Sequence, residues 1–453
     1  MLGYTDKLDA DILAAYSGTG ALHVLSVSGL HAAIVYIVFS WLLFFLDKVR
    51  YGHVIKAVLL ILFLWFYAAL TGLSPSVLRA ATMFSFIIIA KAFKKHTNIY
   101  NTLAASAFFL LLTNPYLLME VGFQLSYLAV IGIVWLQPVV SSLFEPENRL
   151  LEQIWTVTAV SIAAQLATFP IGLHYFHQFP NYFLLSNLIV IPLSTLIIYL
   201  GIALFSLSSF PFLMKYIAMA FLWTIWLLNL SVKWIGGFPH ALLEGITISV
   251  TETCIIYGFT ILFLLYLMHR KYSHLLLALS LVIALLISQV TEQYRQQRQK
   301  ELIVYDIKGN TAIDMIKGNG TQLLADSLLA KDEGKICFHL LPGRWERGVG
   351  SYQTEMLGPG GQELYSFCGK RIAVVRSAIN ATAKTKRLKI DYLILANNAD
   401  TNISGLMQLY DPVLVIFDAS NKPGKMSKWM KECAAVSREY YSVAEKGAFM
   451  KKL

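Results

Sequence analysis

The chain has 453 residues, 57% hydrophobic and only 14% charged, with a formal net charge of +10. This composition excludes a wholly soluble globular protein, and the charge is unevenly spread. Residues 1–290 hold 13 Lys/Arg and 10 Asp/Glu, whereas residues 291–453 hold 24 and 17, so a lipid-soluble part precedes a soluble one.

A basic balance suits anionic lipid or an anionic partner and identifies neither. Cys254, Cys337, Cys368 and Cys433 form no CxxC or Cys/His spacing, which argues against a zinc site or a dithiol motif. They read as small buried residues. Residues 1–20 carry Asp6, Asp9 and Asp11 and no basic n-region, so they read as a tail and not a signal peptide.

The stretch from Ala21 to Leu46 is apolar and long enough to span a bilayer, yet its first third holds His23, Ser26, Ser28, Gly29 and His31. Ser28 and His31, three apart, are expected on one helix face. Gly29 permits either close packing or a local break. Polar groups at membrane depth either hold helices together or line a path, and both readings stand at this point.

A second span covers Val54 to Leu70. Ser74 and Pro75 then mark a helix start, with Ser74 as N-cap, and the span carries Arg79 in its first turn. Asn101 to Leu112 is too short to cross untilted. The next run, Tyr116 to Val140, contains Glu120, Gln124 and Ser126; Glu120 and Gln124 are expected on one face. The span Ile154 to Phe176 holds Gln165 and Pro170, and Tyr182 to Leu207 holds Asn187 and Pro192, so each pairs a polar group with a proline that kinks the helix.

Plainer spans follow at Phe212 to Ile235, Ser249 to Met268 and His274 to Val290. Trp223, Trp226 and Trp234 are expected at the interface or facing lipid. The expectation is about ten spans, some kinked or discontinuous. Alternate short loops collect Lys48, Arg50, Lys91, Lys94, Lys95, Arg149, Lys215, Arg270 and Lys271, which places those loops in the cytoplasm and both termini outside.

Residues 291–301 read as a charged linker and residues 302–453 as one α/β domain. Strands are expected at Leu302 to Ile307, Ala312 to Ile316, Ile336 to Leu341, Arg371 to Val375, Ile390 to Leu395 and Val413 to Phe417. Helices are expected at Thr401 to Leu409 and Lys425 to Cys433, and an irregular loop at Ser351 to Gly361. The organisation is thus a tail (1–20), a transmembrane part (21–290), a linker (291–301) and a soluble domain (302–453).

Several segments in order resemble the ComEC/Rec2 competence family of DNA-uptake channels. These are Leu25 to His31 with its SGLH stretch, Thr71 to Ser74 followed by Arg79-Ala80, and Asn114-Pro115 followed by Gly122 to Ser126. Gln165 through Pro170, then Asn187 and Pro192, continue the similarity. The resemblance implies a polytopic α-helical membrane protein of the inner (cell) membrane, and the loop charges place its soluble domain outside the cytoplasm. It also implies inward passage of single-stranded DNA during natural transformation, an external DNA receptor, and a cytoplasmic ATPase or helicase for the driving force; an oligomer is compatible with it. The sequence itself has no Walker motif. Ser28, His31, Arg79, Glu120, Gln124, Ser126, Gln165 and Asn187 are the candidate DNA path. The family's oligonucleotide-binding-type domain and first spans lie before the segments matched here, so a shortened N-terminus is also an expectation.

Residues 302–453 resemble a degenerate metallo-β-lactamase domain. The family's HxHxDH ligand positions fall on Asn397, Ala399, Thr401 and Asn402, none of them a competent zinc ligand, and sliding the register recovers only Asp400. Asp418 reads as a turn-former. No metal, no other cofactor and no enzymatic activity are expected. The competing reading is a small-molecule or metabolite permease, which would use the same kinked helices; a membrane-tethered metallohydrolase is disfavoured by the replaced ligands.

Overall fold

The computed structural model describes residues 9–25, 27–95, 98–207, 209–358, 361–378 and 387–453. It forms two compact units, Met1–Leu264 and Leu265–Leu453.

In the first unit, the sequence read as a tail forms α1 (Ala10–Gly18). After it come α2 (Leu22–Leu25), α3 (Gly29–Leu42), α4 (Gly52–Leu70), α5 (Pro75–Ala92), α6 (Ile99–Thr113), α7 (Val121–Ser141), α8 (Arg149–Phe176), α9 (Phe183–Ser206), α10 (Pro211–Gly236) and α11 (Val250–His269). A two-stranded antiparallel ribbon, β1 (Gln178–Pro180) with β2 (Leu242–Glu244), joins the loops after α8 and α10. Tyr16 of α1 is buried and donates to Asn229 Oδ1 of α10 at 2.9 Å, which anchors the N-terminal helix.

With α12 (Tyr272–Arg298) of the second unit, eight helices among the described residues, α4, α5 and α7 to α12, are long and apolar enough to cross a membrane. The two others expected to cross are shorter. α3 has 14 residues and α6 has 15, which gives each on the order of 20 Å against a hydrocarbon core of about 30 Å.

The expected span from Ala21 to Leu46 is therefore not one helix. It breaks before Gly29 because Ser28 is extended (φ −105°, ψ 169°) and caps the helix that follows, and a 3₁₀ turn, Phe44–Lys48, ends it. The expected run from Tyr116 to Val140 also breaks. Pro115–Met119 is a 3₁₀ turn and Glu120 is the exposed N-cap of α7, so Glu120 and Gln124 do not share a helix face. Ser74 and Pro75 do open α5. Pro170 and Pro192 sit inside α8 and α9, which run on through them. The hydroxyl of Tyr257 on α11 bonds to the carbonyl of Ala167, one turn before Pro170, at 2.8 Å. Trp223, Trp226 and Trp234 are all exposed, as lipid-facing aromatics are.

Small residues let α7 and α8 approach closely. A Cβ on Gly132 would stand 2.3 Å from Ala167 Cβ and 2.9 Å from the Ala163 carbonyl oxygen, the contact that packs helices in lipid where no hydrophobic effect drives them together.

The second unit continues from α12 without a loop. The helix runs to Arg298 and β3 starts at Lys300, so the expected linker is mostly helix. The strands and helices in order are β3 (Lys300–Val304), β4 (Ala312–Lys317), β5 (Gly320–Ala325), α13 (Ser327–Ala330), α14 (Glu333–His339), α15 (Leu341–Glu346), β6 (Ser351–Met356), β7 (Gln362–Phe367), β8 (Lys370–Val375), β9 (Leu388–Leu395), α16 (Ile403–Leu409), β10 (Tyr410–Phe417), α17 (Pro423–Ala435), β11 (Tyr440–Ser442), α18 (Val443–Lys446) and β12 (Phe449–Lys452).

They make two five-stranded sheets, β12-β3-β4-β5-β6 and β11-β10-β9-β8-β7. Leu302, Val304, Ile313 and Met315 of the first meet Ile372, Val374, Ile394 and Ile416 of the second in one core. Leu329 and Leu340 cover the outer face of the first sheet, and Ile403, Leu406, Met426 and Trp429 cover that of the second. The order is helix, sheet, sheet, helix.

The expected strand at Ile336 to Leu341 is helical. Asp332 accepts from Lys335 N at 3.1 Å as an N-cap and Pro342 opens α15, so capping overrides a short apolar run that periodicity leaves ambiguous. The expected loop at Ser351 to Gly361 contains β6, an exposed edge strand. Of the cysteines, only Cys433 is buried; Cys254, Cys337 and Cys368 are exposed.

Candidate functional site

The first cluster sits where α3 begins. His31 Nδ1 lies 3.2 Å from the backbone N of Ser28 and 2.8 Å from its Oγ. An N–H can only donate, so Nδ1 accepts and the neutral imidazole carries its proton on Nε2. Ser28 and His31 thus meet as a reciprocal cap and not as neighbours on a helix face. His31 is 2% exposed, and its Nε2 has no partner among the described residues. The break before α3 is tied to α5 by Ser76 Oγ, which donates to the Val27 carbonyl, and Gly29 faces Ala80.

Arg79 follows on the same face of α5 and is 4% exposed. Its Nε and Nη1 have no hydrogen-bond partner among the described residues. No carboxylate forms an ion pair with it among the described residues. The guanidinium lies 6.0 Å from the centre of the Phe123 ring, and Tyr127 and Glu120 are within electrostatic reach of it. Tyr127 stacks at a tilt on Phe123 and shares a hydrogen bond of 2.9 Å with Ser106 of α6. A buried cation with open N–H donors and an aromatic wall is suited to an anion such as a phosphate, which a guanidinium binds through two parallel hydrogen bonds.

The remaining candidates are distributed differently. Gln124 donates to the Leu118 carbonyl at 2.9 Å and so stitches α7 to the turn before it. Ser126 is half-buried two residues further on, on another side of the helix. Gln165 borders an apolar cavity of about 340 Å³ with Phe169, Phe179 and Phe183. Among the described residues, the buried Oδ1 of Asn187 of α9 has no partner, and the neighbouring Ser186 Oγ is likewise unpaired.

The helices that carry these groups form a closed cycle. α3 packs on α5 and α9, α5 on α7, α7 on α8, and α8 on α9. Phe123 and Tyr127, which face Arg79, were not among the residues singled out from sequence. No local signal marks them, because it is the packing of α5 on α7 that brings them to Arg79.

In the second unit the stretch matching the metal-binding motif is a tight loop after β9. Asn397 and Asn398 are left-handed (φ 50° and 53°). Asn397 N donates to Ser420 Oγ and Asn398 N to Asn421 Oδ1, each at 2.8 Å. Ala399 is buried, the Thr401 carbonyl accepts from Trp429 Nε1 at 3.0 Å, and Asn402 caps α16 by accepting from Gly405 N at 2.7 Å. The Lys425 ammonium donates to the Asn398 carbonyl at 2.8 Å and reaches Asp400 at 3.4 Å.

Asp418 does more than form a turn. It is fully buried, and its Oδ2 accepts from Thr311 Oγ1 at 2.7 Å and Ser420 Oγ at 2.6 Å, which joins the two sheets. Oδ1 has no partner among the described residues, and burial pushes the carboxyl up to about 6. Among the described residues no three His, Cys, Asp or Glu are placed to hold a metal ion.

Comparison with known proteins finds two family matches. Residues 1–271 match the family described as "Competence protein", and residues 302–453 match the "ComEC C-terminal domain". The "ComE operon protein 3" of Bacillus subtilis (strain 168) is 34% identical over 206 residues, which is 45% of this chain and 25% of that protein. The match thus spans a quarter of that relative's length. No solved structure matches.

Proposed function

The chain belongs to the competence protein family, and we propose that this multi-pass membrane protein takes part in DNA uptake by conducting single-stranded DNA inward through its helical part. The observation that carries the reading is Arg79, a buried guanidinium with two open donors on one of five helices that close into a cycle. A strand crossing a low-dielectric layer needs positive charge and hydrogen-bond donors for each phosphate. Arg79 and the Nε2 proton of His31 supply them. Ser28, Gln124, Gln165 and Asn187, with Glu120 and Ser126 at the start of α7, make up the rest of the path. The driving force comes from a separate cytoplasmic ATPase, and DNA is handed over by an external receptor.

The soluble domain lies outside the cytoplasm in this reading, because the lysines and arginines of the short loops gather on the other side. A cysteine replacing Ser351 on the exposed strand β6 then reacts with a membrane-impermeant thiol reagent in intact cells stripped of any outer barrier. Reaction only after the cytoplasmic membrane is breached overturns this placement. We read the domain as a degenerate metallo-β-lactamase fold without hydrolytic activity, since Asn397, Ala399, Thr401 and Asn402 are held by hydrogen bonds or burial and Lys425 already supplies a cation to that loop.

The experiment is uptake of labelled DNA by a transformable strain whose own gene is replaced with this one, carrying Arg79 or Arg79→Gln. The channel reading expects normal amounts of folded Arg79→Gln protein and a loss of uptake on the order of 10- to 100-fold, the worth of one or two charge-assisted hydrogen bonds. Folded variant with unchanged uptake refutes the role of Arg79. Uptake that persists without the gene refutes the channel and leaves the permease reading.

A further inference from the structure

One end of the soluble unit is basic. Asp418, at the end of β10, bonds to Thr311 beside the start of β4, so the C-terminal ends of β3, β9 and β10 lie together. The opposite end therefore gathers the start of β3, the β4–β5 turn, the end of β12 and the start of β9. Arg298, Lys300, Lys317, Lys389 and Lys452 are all exposed there. Lys300, Lys317, Lys389 and Arg298 have no carboxylate partner among the described residues, and Arg298 rests on the Tyr294 ring at 4.2 Å. Most acids at this end are already engaged. Glu301 pairs with Arg347 at 3.0 Å and with Lys452 at 3.8 Å, Asp391 with Lys370 at 2.8 Å, and Asp411 with Arg438. Exposed Glu346 and Glu439 remain, and they leave the cations in excess.

This same end receives α12. Gln299 Nε2 donates to the carbonyls of Gly318 at 2.9 Å and Arg347 at 2.6 Å, and Gln296 Nε2 to that of Glu346 at 3.4 Å, so the helix enters the domain without a loose joint. The apolar part of α12 stops at Val290, and residues 291–298 are a helical extension. Eight residues rise about 12 Å, which places the basic end near the outer limit of a headgroup layer some 5–8 Å thick. The remaining gap is below the Debye length of about 8–10 Å at physiological salt.

We propose that this basic end docks on anionic phospholipid headgroups of the leaflet from which α12 emerges. The bilayer then fixes the tilt of the soluble domain through Lys300, Lys317, Lys389 and Lys452, with α12 as the strut. A nucleic-acid strand would also be drawn to these charges. The lipid is favoured because the height of the face is set by a membrane helix of its own unit, whereas nothing in that unit brings a strand to it. The inference does not depend on what the helical part transports.

The test is lysine acylation of the full chain in nanodiscs, read site by site by mass spectrometry. Discs of phosphatidylcholine alone are compared with discs containing one third phosphatidylglycerol. Lys300, Lys317, Lys389 and Lys452 are expected to react several-fold more slowly in the anionic discs, while Lys308, Lys331 and Lys422, exposed and outside this face, keep their rates. High salt should erase the difference. The variant Lys300→Gln with Lys317→Gln should return Lys389 and Lys452 towards the neutral-disc rate, each lost charge lowering the docked population about fivefold. Equal rates in both discs overturn the proposal. So does slowing that appears only when a single-stranded oligonucleotide is added to neutral discs, which assigns the face to nucleic acid.

Discussion

Two buried arginines, one in each unit, show how differently the two parts treat charge. Arg344 of the soluble domain is 1% exposed and grips Asp314 through Nε and Nη2, both at 2.8 Å. Tyr305 and Thr321 complete the carboxylate at 2.9 and 3.2 Å. Only its Nη1 is left open, beside the ring of Tyr352. Arg79 of the helical part is as deeply buried, with Nε and Nη1 both open and no acid paired to it among the described residues. A buried charge that serves packing is neutralised in place, because desolvation otherwise costs several kcal/mol. Leaving one open suits the role proposed for Arg79, the binding of an anion that arrives from outside.

The largest expected effect tests the paired side of that contrast. Arg344→Ala strands Asp314 and should cost about 3–5 kcal/mol of stability. It would be read as faster labelling of the buried Cys433 thiol in the full chain on heating or in denaturant. Arg79→Gln loses no ion pair and removes an unneutralised buried charge, so it should leave the membrane part at least as stable as before. If the two variants destabilise equally, the contrast is false and Arg79 is a packing residue.

Asp418 gives the next effect. Its folded-state carboxyl is raised from the ordinary 3.8 to about 6, so the folded form holds its proton more tightly than the unfolded one. The linked stability is full below about pH 4 and is lost as pH rises through 6, some 3 kcal/mol in all. Protection of the β10 amides, their exchange taken relative to that of an unstructured chain at the same pH, should fall over that window, and Asp418→Asn should flatten the profile. A profile that stays flat in the unmodified chain would mean the buried oxygen has a partner.

Closer packing than a side chain allows predicts a smaller loss. Gly132→Ala must push α7 from α8 and should cost about 1–3 kcal/mol, seen as a lower melting temperature in detergent with the soluble domain unaffected. The smallest effect belongs to the cap of α3. Ser28→Ala removes one half of the Ser28–His31 exchange and should cost about 1 kcal/mol locally, visible as faster exchange of the first α3 amides. If those amides are already unprotected, the break before Gly29 is not held by this pair.

The amino-acid order by itself determined the division into a lipid-soluble and a charged part, the helices α4 to α12 with α16 and α17, and most central strands of the sandwich. Each rests on a run of residues whose local periodicity is its own signal, and Ser74-Pro75 or Asn402 need only their neighbours to start a helix. It also picked out Arg79 and His31, because a polar group in an apolar run is conspicuous wherever it ends up. It did not reveal that Ala21 to Leu46 breaks at Ser28, since a run of apolar letters reads the same whether or not a cap interrupts it. Nor did it reveal β6, whose polar, wholly exposed residues become a strand only because β5 lies beside them. The partners of Arg79 were equally hidden. Phe123 and Tyr127 stand more than forty positions away, and a guanidinium's neighbours are chosen by the packing of α5 on α7, which is decided by the shape of whole helices in three dimensions and leaves no mark in the local sequence.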